Sequence, residues 1–209
     1  MNTEINTIRL LGAAQLIVIV GNLIMDSLLS SAVGSGSISD ILVNISKNLP
    51  QMRFSNLVAL GQTLAIVVLG VLYYAVFYKQ YKIIALVALG CFLIAAITIA
   101  ISKIGANALI PLSQEFVDAG APQTAYFQTL GDFLYFGVDR RGNDIHMLFL
   151  ALGFLLTNYV FYISRCIPRA VSIWGLAAIC LLLIPTVLTL YDREFLPGAM
   201  ILALPYAPY

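Results

Sequence analysis

Asp26 and His146 are the residues of this sequence that could perform acid–base chemistry within an apolar environment. Asp26 lies inside the apolar stretch 10–33, and His146, the only histidine, opens the apolar stretch 145–163. Gln15 and Asn22 precede Asp26 at a spacing that places the three side chains on one stripe of a helix. Polar groups are costly in hydrocarbon, so this pattern indicates ligand binding, proton transfer or ion movement.

We predict that these side chains line a polar pocket open to the outer face of a membrane, where Asp26 and His146 could meet. The predicted ligand-binding residues are Gln15, Asn22, Asp26, Gln62, His146 and Thr186. Further polar residues predicted at a similar depth are Asn56, Thr63, Thr189 and Tyr191. This pocket would hold a small apolar or amphipathic ligand, or a lipid.

Structural roles also explain the two titratable residues. Asn143 or Asp144, following Gly142, suits the amino-terminal cap of a helix, and His146 would then hydrogen-bond a loop carbonyl. Asp26 could equally be protonated and bonded to a neighbouring backbone group. These interpretations stay open beside the functional ones.

A catalytic or metal site has little support. A single histidine, without an H-E-x-x-H pattern, opposes a zinc site. Cys91, Cys166 and Cys180 are far apart in or beside apolar segments, which predicts neither a disulfide nor a metal cluster. No G-x-S-x-G motif accompanies the serines near Asp26. We expect no catalytic residue, metal or cofactor.

The composition is that of a membrane protein. Hydrophobic residues form 61% of the 209 positions and charged residues 10%, against about 25% charged in a soluble domain. The net charge of +1, with scattered basic residues, excludes nucleic acid as a partner. The predicted partner is the lipid bilayer, and the sequence gives no indication of an oligomeric state.

Several stretches are long enough to cross a bilayer, which takes about 20 apolar residues. The five clear ones are 10–33, 56–78, 83–102, 145–163 and 170–191. A sixth, from Leu196, carries Pro205 and Pro208 and is predicted to be short or truncated. The first stretch exceeds a signal-peptide core, so we expect it to be retained. The predicted fold class is an all-α polytopic membrane bundle of about six transmembrane helices, a single domain over 1–209.

Two outer loops are predicted to contain amphipathic helices. In the first, Ser39 or Asp40 would cap the helix and Pro50 would stop it; the apolar positions are Ile38, Ile41, Leu42, Ile45 and Leu49. In the second, "AYFQTLGDFLYF", the positions predicted on one side are Tyr126, Phe127, Leu130, Phe133 and Leu134. Both helices would lie in the interface or over the outer mouth of the bundle.

Basic residues predict the orientation, because short cytoplasmic loops carry Lys and Arg. The residues assigned to the cytoplasmic side are Arg9, Lys79, Lys82, Arg165 and Arg169. The opposite loops are long and acidic, and we assign Asp139 to one of them. The amino terminus is therefore predicted to be cytoplasmic in the inner (plasma) membrane. Arg165 and Arg169 are predicted anchors that could also bind an anionic lipid headgroup.

The stretch "HMLFLALGFLLTNYVFYISRCIPRAVSIWGLAA" has a histidine opening a Leu- and Gly-rich helix, then a Tyr-x-Ser turn, a proline and a helix beginning near a glycine. The positions are His146, Leu148, Phe149, Gly153, Tyr162, Ser164, Pro168 and Gly175. With "LLGAAQLIVIVGNLI" near the start, this pattern resembles a bacterial multi-pass membrane family catalogued as a domain of unknown function. The resemblance implies a six-helix inner-membrane protein and brings no catalytic residues. The chain departs from the family by ending inside the last helix.

We therefore expect a non-enzymatic membrane protein that binds a small apolar or amphipathic ligand, or a lipid, in an outward-facing polar pocket. One alternative is a small secondary transporter using Asp26. The other is an intramembrane enzyme using His146 and Asp26.

Overall fold

Helices account for all the regular secondary structure in residues 2–122 and 124–191, the part of the chain that this computed structural model describes. Their bounds are α1 Asn2–Val33, α2 Ile38–Lys47, α3 Leu49–Asp118, α4 Ala125–Asp132, a π-helical segment Phe133–Arg140, α5 Arg141–Ser164 and α6 Arg169–Tyr191. The prediction of an all-α chain is confirmed for these residues.

The described helices are long and apolar enough to cross a membrane. The four candidate spans are Arg9–Val33, Leu49–Asp118, Ala125–Ser164 and Arg169–Tyr191. Large apolar side chains point outward along them, with Leu64 70%, Ile83 78% and Ile104 69% exposed. Such a surface suits lipid and not water, so the chain is a helical membrane protein. The sixth stretch predicted from Leu196 lies outside the described residues.

Helix α3 folds back on itself at Tyr81, whose backbone is not helical (φ −132°, ψ 44°). Two contacts show that the arms before and after Tyr81 run antiparallel. A Cβ added to Gly70 would lie 3.0 Å from Cβ of Phe92, and Asn56 is hydrogen-bonded to Asn107. The turn predicted between stretches 56–78 and 83–102 is confirmed at this break.

The loop predicted before His146 does not exist. Residues Ala125–Ser164 form one continuous helical run through the π-helical segment. Asn143 and Asp144 lie inside α5, so the prediction that either caps a helix is wrong. The charged run 139–144 resembles a loop in the sequence, but Asp139 is buried within the helix.

Helix α4 and the start of the π-helical segment present two different faces where a single apolar face was predicted. Phe127, Leu130 and Leu134 pack against the core. Tyr126 and Phe133 lie on a neighbouring stripe and are 65% and 62% exposed. Aromatic rings facing outward suit the boundary between water and lipid.

Helix α2 is amphipathic, as predicted, with Ile38, Ile41, Leu42 and Ile45 buried. Its cap differs from the prediction. Ser37 is the amino-terminal cap, and its side chain and backbone N–H exchange hydrogen bonds with Asp40. Pro50 lies in the first turn of α3, where its missing N–H costs nothing, so it begins the next helix instead of stopping α2.

The chain divides into two compact units. Within the described residues, the first unit comprises residues 2–14, 66–96 and 144–191, and the second comprises residues 15–65, 97–122 and 124–143. Within the first unit, aromatic rings join the helices: Phe77 meets Phe161, and Phe92 meets Phe154, both edge-on. Within the second unit, the apolar face of α2 packs into a core shared with α4 and α3.

Candidate functional site

A buried ion pair lies at the centre of the second unit. Nζ of Lys103 is 2.7 Å from Oδ1 of Asp139, and their side chains are 2% and 1% exposed. The Ser102 hydroxyl donates to the same carboxylate oxygen at 2.7 Å and also lies 2.9 Å from the Asp139 carbonyl oxygen. A buried pair repays the desolvation of its charges only with such additional bonds.

Two glycines let the helices that carry this ion pair approach closely. A Cβ on Gly105 would lie 2.8 Å from Cβ of Val138 and 2.9 Å from the Leu134 carbonyl oxygen. A Cβ on Gly142 would lie 2.7 Å from Cβ of Ser102. Small residues permit such backbone contact between membrane helices. Lys103 and Asp139 therefore face each other across one of the tightest contacts in the second unit.

The π-helical segment brings Tyr135 and Arg140 onto the same face. Nε and Nη2 of Arg140 donate to the Tyr135 hydroxyl at 3.0 and 2.6 Å. In an α-helix, which turns about 100° per residue, positions five apart would point about 140° away from each other. The π-helical i→i+5 pattern removes this divergence, and π-helical turns are frequent at functional sites.

Helix α1 contributes Asn22 and Asp26, both half-buried, to the same unit. Asp26 interacts electrostatically with three groups: Arg140 and Lys103 attract its carboxylate, and Asp139 repels it. Within the described part of the chain, the direct ion pair of Lys103 is with Asp139 and not with Asp26. Asp26 is thus a carboxylate near two cations but bonded to neither.

The register between α1 and the first arm of α3 places Asn56 beside these residues. The Gln62 side-chain amide donates to the Val18 carbonyl, and the Ser55 hydroxyl donates to the Met25 carbonyl at 3.2 Å. These two bonds hold the segments antiparallel. Asn56 therefore lies level with the turn between Asn22 and Asp26.

A short chain of amides links Asn56 to the ion pair. Nδ2 of Asn56 donates to Oδ1 of Asn107 at 3.1 Å, and Nδ2 of Asn107 donates to the Lys103 carbonyl at 2.8 Å. We call the whole set the polar cluster. Its members are Asn22, Asp26, Asn56, Lys103, Asn107, Tyr135, Asp139 and Arg140.

Several buried oxygens of the polar cluster have no hydrogen-bond donor among the described residues. They are Oδ1 of Asn22, Oδ1 of Asn56 and Oδ2 of Asp139. Oδ1 of Asn143, in the same unit, also lacks a donor. Each such atom is costly in an apolar setting. The polar cluster can therefore accept hydrogen bonds from a bound molecule.

His146 belongs to the first unit and is completely buried. Its Nδ1 lies 2.9 Å from the carbonyl oxygen of Ala95, within the second arm of α3. A carbonyl only accepts, so Nδ1 carries a proton. The partner is a carbonyl inside a helix and not the predicted loop carbonyl. Ala95, the partner of His146, lies in the first unit. Asp26 and the charged groups that interact with it lie in the second unit.

The other predicted pocket residues have mostly structural partners. Gln15 is buried, and the side-chain amide of Gln62 donates its hydrogen bond to the Val18 carbonyl. The hydroxyl of Thr186 bonds to the Leu182 carbonyl of its own helix at 2.8 Å. Thr63 and Thr189 do the same with carbonyls four residues earlier, and Tyr191 is exposed. No group of three or more His, Cys, Asp or Glu side chains suits a metal ion in the described ranges.

The predicted lipid-headgroup residues lie at the turn between α5 and α6. Arg165 and Arg169 are both exposed, and Arg165 has a left-handed backbone (φ 56°). The guanidinium of Arg169 lies 5.7 Å from the centre of the Tyr162 ring. Phe77 lies four residues before Tyr81, and Phe161 lies four residues before Arg165. Because the two rings are in contact, the two turns lie near each other.

Sequence reasoning missed Lys103, Asp139 and Arg140. Asp139 was assigned to an outer loop, but it is a buried member of an ion pair. One pattern could have revealed Lys103: it is the only charged residue between Lys82 and Glu115, and apolar residues continue beyond it. An isolated charge in so long an apolar stretch indicates a partner inside the membrane.

The comparisons with known proteins identify a family and no activity. A family model described as a domain of unknown function (DUF4386) matches residues 10–208. No curated protein and no solved structure matches the chain. This match confirms the resemblance to a family of unknown function, and it gives neither a helix count nor an activity.

Proposed function

Because the chain belongs to the family described as a domain of unknown function (DUF4386), we propose a function on the chemistry of the polar cluster: a non-enzymatic membrane protein that binds a small amphipathic ligand beside Asp26. The observation that carries this proposal is the set of buried acceptor oxygens on Asn22, Asn56 and Asp139. A bound molecule with hydrogen-bond donors would satisfy them.

A purely structural cluster would not need these open acceptors. Leaving one buried polar atom unsatisfied costs about 1–3 kcal/mol, comparable with the worth of many stabilising contacts. The Lys103–Asp139 pair already has Ser102 as a supporting donor to Oδ1, yet no donor in the described part of the chain reaches Oδ2 of Asp139. Such atoms are retained where a ligand or water completes the site.

The apolar surroundings favour an amphipathic ligand. Leu23 and Ile24, between Asn22 and Asp26, are 65% and 45% exposed on the outer surface of α1. Asp26 itself is half-buried on the same helix. A molecule with a polar head and an apolar tail could place its head at Asp26 and its tail along α1.

Native mass spectrometry of the detergent-purified chain tests the proposal. We expect the wild type to retain a small molecule that is missing from Asp26→Asn. Asp118→Asn, which removes the same charge at an exposed position at the end of α3, is the matched control and should retain it. Equal occupancy in all three proteins, or bulk lipid alone in each, would contradict a site at Asp26.

A secondary transporter using Asp26 is the second candidate function. It is favoured by the buried ion pair of Lys103 and Asp139 in the same unit as Asp26, because Lys103 could exchange Asp139 for Asp26 when a proton or solute binds. Intramembrane charges of this kind often belong to proton or ion pathways. Proteoliposomes containing a pH-sensitive dye test it: Asp26-dependent proton movement is expected, and identical rates for wild type and Asp26→Asn would exclude this role.

We also propose six membrane spans in a single domain, with the amino terminus cytoplasmic in the inner membrane. The support is the shared location of the turns at Tyr81 and at 165–168 at one end of the first unit, together with their basic residues. Exposed Cys166 should then resist a membrane-impermeant thiol reagent in intact cells. Ser35→Cys in a Cys166→Ala background should react. The opposite labelling pattern would reverse the topology.

The same turn is proposed to bind anionic lipid headgroups through Arg165 and Arg169. Both guanidinium groups are exposed, and Lys79 and Lys82 flank the neighbouring turn. Cations gathered at one end of a membrane protein attract anionic headgroups, with a worth of about 1 kcal/mol each. Replacement of both arginines by Gln should reduce retention of phosphatidylglycerol relative to phosphatidylcholine in native mass spectra, and an unchanged ratio would refute the site.

A further inference from the structure

The hydrogen-bonding atoms of the polar cluster determine the chemical class of its ligand. We infer that the bound head group donates hydrogen bonds and carries no negative charge, as an amine or an alcohol does. This inference rests on the proposed binding function and adds the substrate class to it.

The first step is the type of atom left without a partner. The buried unpartnered side-chain atoms in the described part of the second unit are oxygens that accept hydrogen bonds: Oδ1 of Asn22, Oδ1 of Asn56, Oδ2 of Asp139 and Oδ1 of Asn143. Asn56 and Asp139 are more than nine-tenths buried. A ligand that itself offers only acceptors would leave all of them unsatisfied.

The second step is the orientation of the amides, which the network determines. The Lys103 carbonyl can only accept, so Asn107 must present its Nδ2 to it. Oδ1 of Asn107 then faces Asn56, and Asn56 must present Nδ2 in turn. Oδ1 is therefore the atom that Asn56 has left for a ligand.

The third step concerns the balance of charges in the polar cluster. Nζ of Lys103 bonds to Asp139, and Nε and Nη2 of Arg140 bond to the Tyr135 hydroxyl. The carboxylate of Asp26 has no direct ion-pair partner within the described residues. Asp26 and Asp139 provide one carboxylate for each of the cations Lys103 and Arg140, so an anionic head group would add an unbalanced negative charge and would bring acceptors only.

The fourth step is position. Asn56 lies level with the turn between Asn22 and Asp26, because Ser55 is bonded to Met25 and Gln62 to Val18. Two residues of helix rise correspond to about 3 Å. Asn22, Asp26 and Asn56 thus lie at one depth along the two helices, where a head group with several donors, such as an ammonium, is expected to bind.

The experiment uses three probes with the same eight-carbon tail: octylamine, octanol and octanoate. Binding to the detergent-purified full chain is measured by isothermal titration calorimetry at neutral pH. We expect octylamine and octanol to bind, and octanoate to bind at least about tenfold more weakly because its charge opposes that of Asp26. Two variants distinguish the charged donor from the neutral one. Asp26→Asn should weaken the binding of octylamine more than that of octanol, whereas Asn22→Ala should weaken the binding of both.

The outcomes distinguish this inference from the function on which it rests. If octanoate binds as tightly as octylamine and the binding depends on Asp26, the inferred class of head group is wrong, but the proposed binding site at Asp26 stands. If no probe shows binding that depends on Asp26, both are overturned. Asp118→Asn, at an exposed position, controls for the loss of one charge. Circular dichroism and a single chromatographic peak confirm that each variant is folded, and Asn22→Ala, at a half-buried residue, is expected to pass both.

Discussion

The two units use their polar side chains differently. In the first unit, Thr157, Asn158 and Thr186 donate to carbonyls of their own helices, and aromatic rings join one helix to another. Polar bonds to backbone carbonyls also join helices there, from Tyr73 to Leu156 and from His146 to Ala95. In the second unit, polar side chains join different helices, as Ser55 does with Met25 and Lys103 with Asp139. Polar bonds between helices are directional, so they hold groups in place that apolar packing would leave free to slide.

This difference indicates where function resides. A threonine that bonds within its own helix hides its polarity from the membrane and needs no partner elsewhere. A lysine and an aspartate buried on facing helices must be kept at one register, and the polar cluster is built at that register. The site that we propose therefore lies in the second unit.

Removing one charge of the ion pair should have the largest effect. Asp139→Leu leaves Lys103 buried without a counter-charge, and breaking a buried pair in this way costs about 3–5 kcal/mol. The free energy of unfolding in mixed detergent micelles measures the loss. The double variant Lys103→Met/Asp139→Leu, which removes both charges, should recover much of it. If the single variant were as stable as the wild type, the ion pair would not hold the second unit together.

A methyl group at the close helix contact should have the next largest effect. Gly142→Ala places Cβ 2.7 Å from Cβ and 3.0 Å from Cα of Ser102, so backbone must move. Such overpacking costs about 1–3 kcal/mol. Gly61→Ala is the control, because nothing lies within 4 Å of its added Cβ, and it should be neutral or slightly stabilising. Thermal unfolding of both variants checks this, and equal melting temperatures would show that the contact is not tight.

A change in the first unit should be milder and should leave ligand binding intact. Phe154→Leu removes the edge-on contact with Phe92, whose ring centre lies 5.6 Å away. An aromatic pair is worth about 0.5–1.5 kcal/mol beyond its buried area. Octylamine affinity, measured beside stability, should stay at the wild-type value. A loss of affinity comparable with that of Asp26→Asn would mean that the units do not divide structure and function as proposed.

The smallest expected effect is a pH dependence confined to α2. Hydrogen bonds from the Ser37 hydroxyl and backbone N–H hold the pKa of Asp40 below its usual value of 3.8. A carboxyl with a lowered pKa stabilises the fold above its unfolded pKa, and this contribution is lost as the pH falls through the folded pKa. Hydrogen exchange of the first-turn amides of α2 should therefore accelerate, after correction for the intrinsic rate, below about pH 4. Asp40→Asn should remove that dependence, and a dependence that persists in this variant would place its source elsewhere.

Features that depend on local pattern could be predicted. The buried face of α2 follows from the spacing of Ile38, Ile41, Leu42 and Ile45, and the turn at Tyr81 lies between two apolar stretches of spanning length. The exact caps were wrong because Ser37, Ser39 and Asp40 are all good capping residues and only the backbone geometry chooses among them. The charged run 139–144 was wrongly assigned to a loop because a buried charge and an exposed one look identical in a sequence.

The sequence by itself determined the class of this protein: apolar stretches of spanning length, few charges and a helical membrane chain, because each of these follows from residues that are neighbours along the chain. It also singled out Asp26 and Asn22, whose spacing aligns them on one helix. Only the tertiary structure decided that Lys103 meets Asp139, which is 36 residues away. That meeting depends on the rotation and register of two helices, set by the close approach at Gly105 and Gly142. No local pattern contains that register, and the acceptor oxygens left open beside it emerge only when the helices are packed.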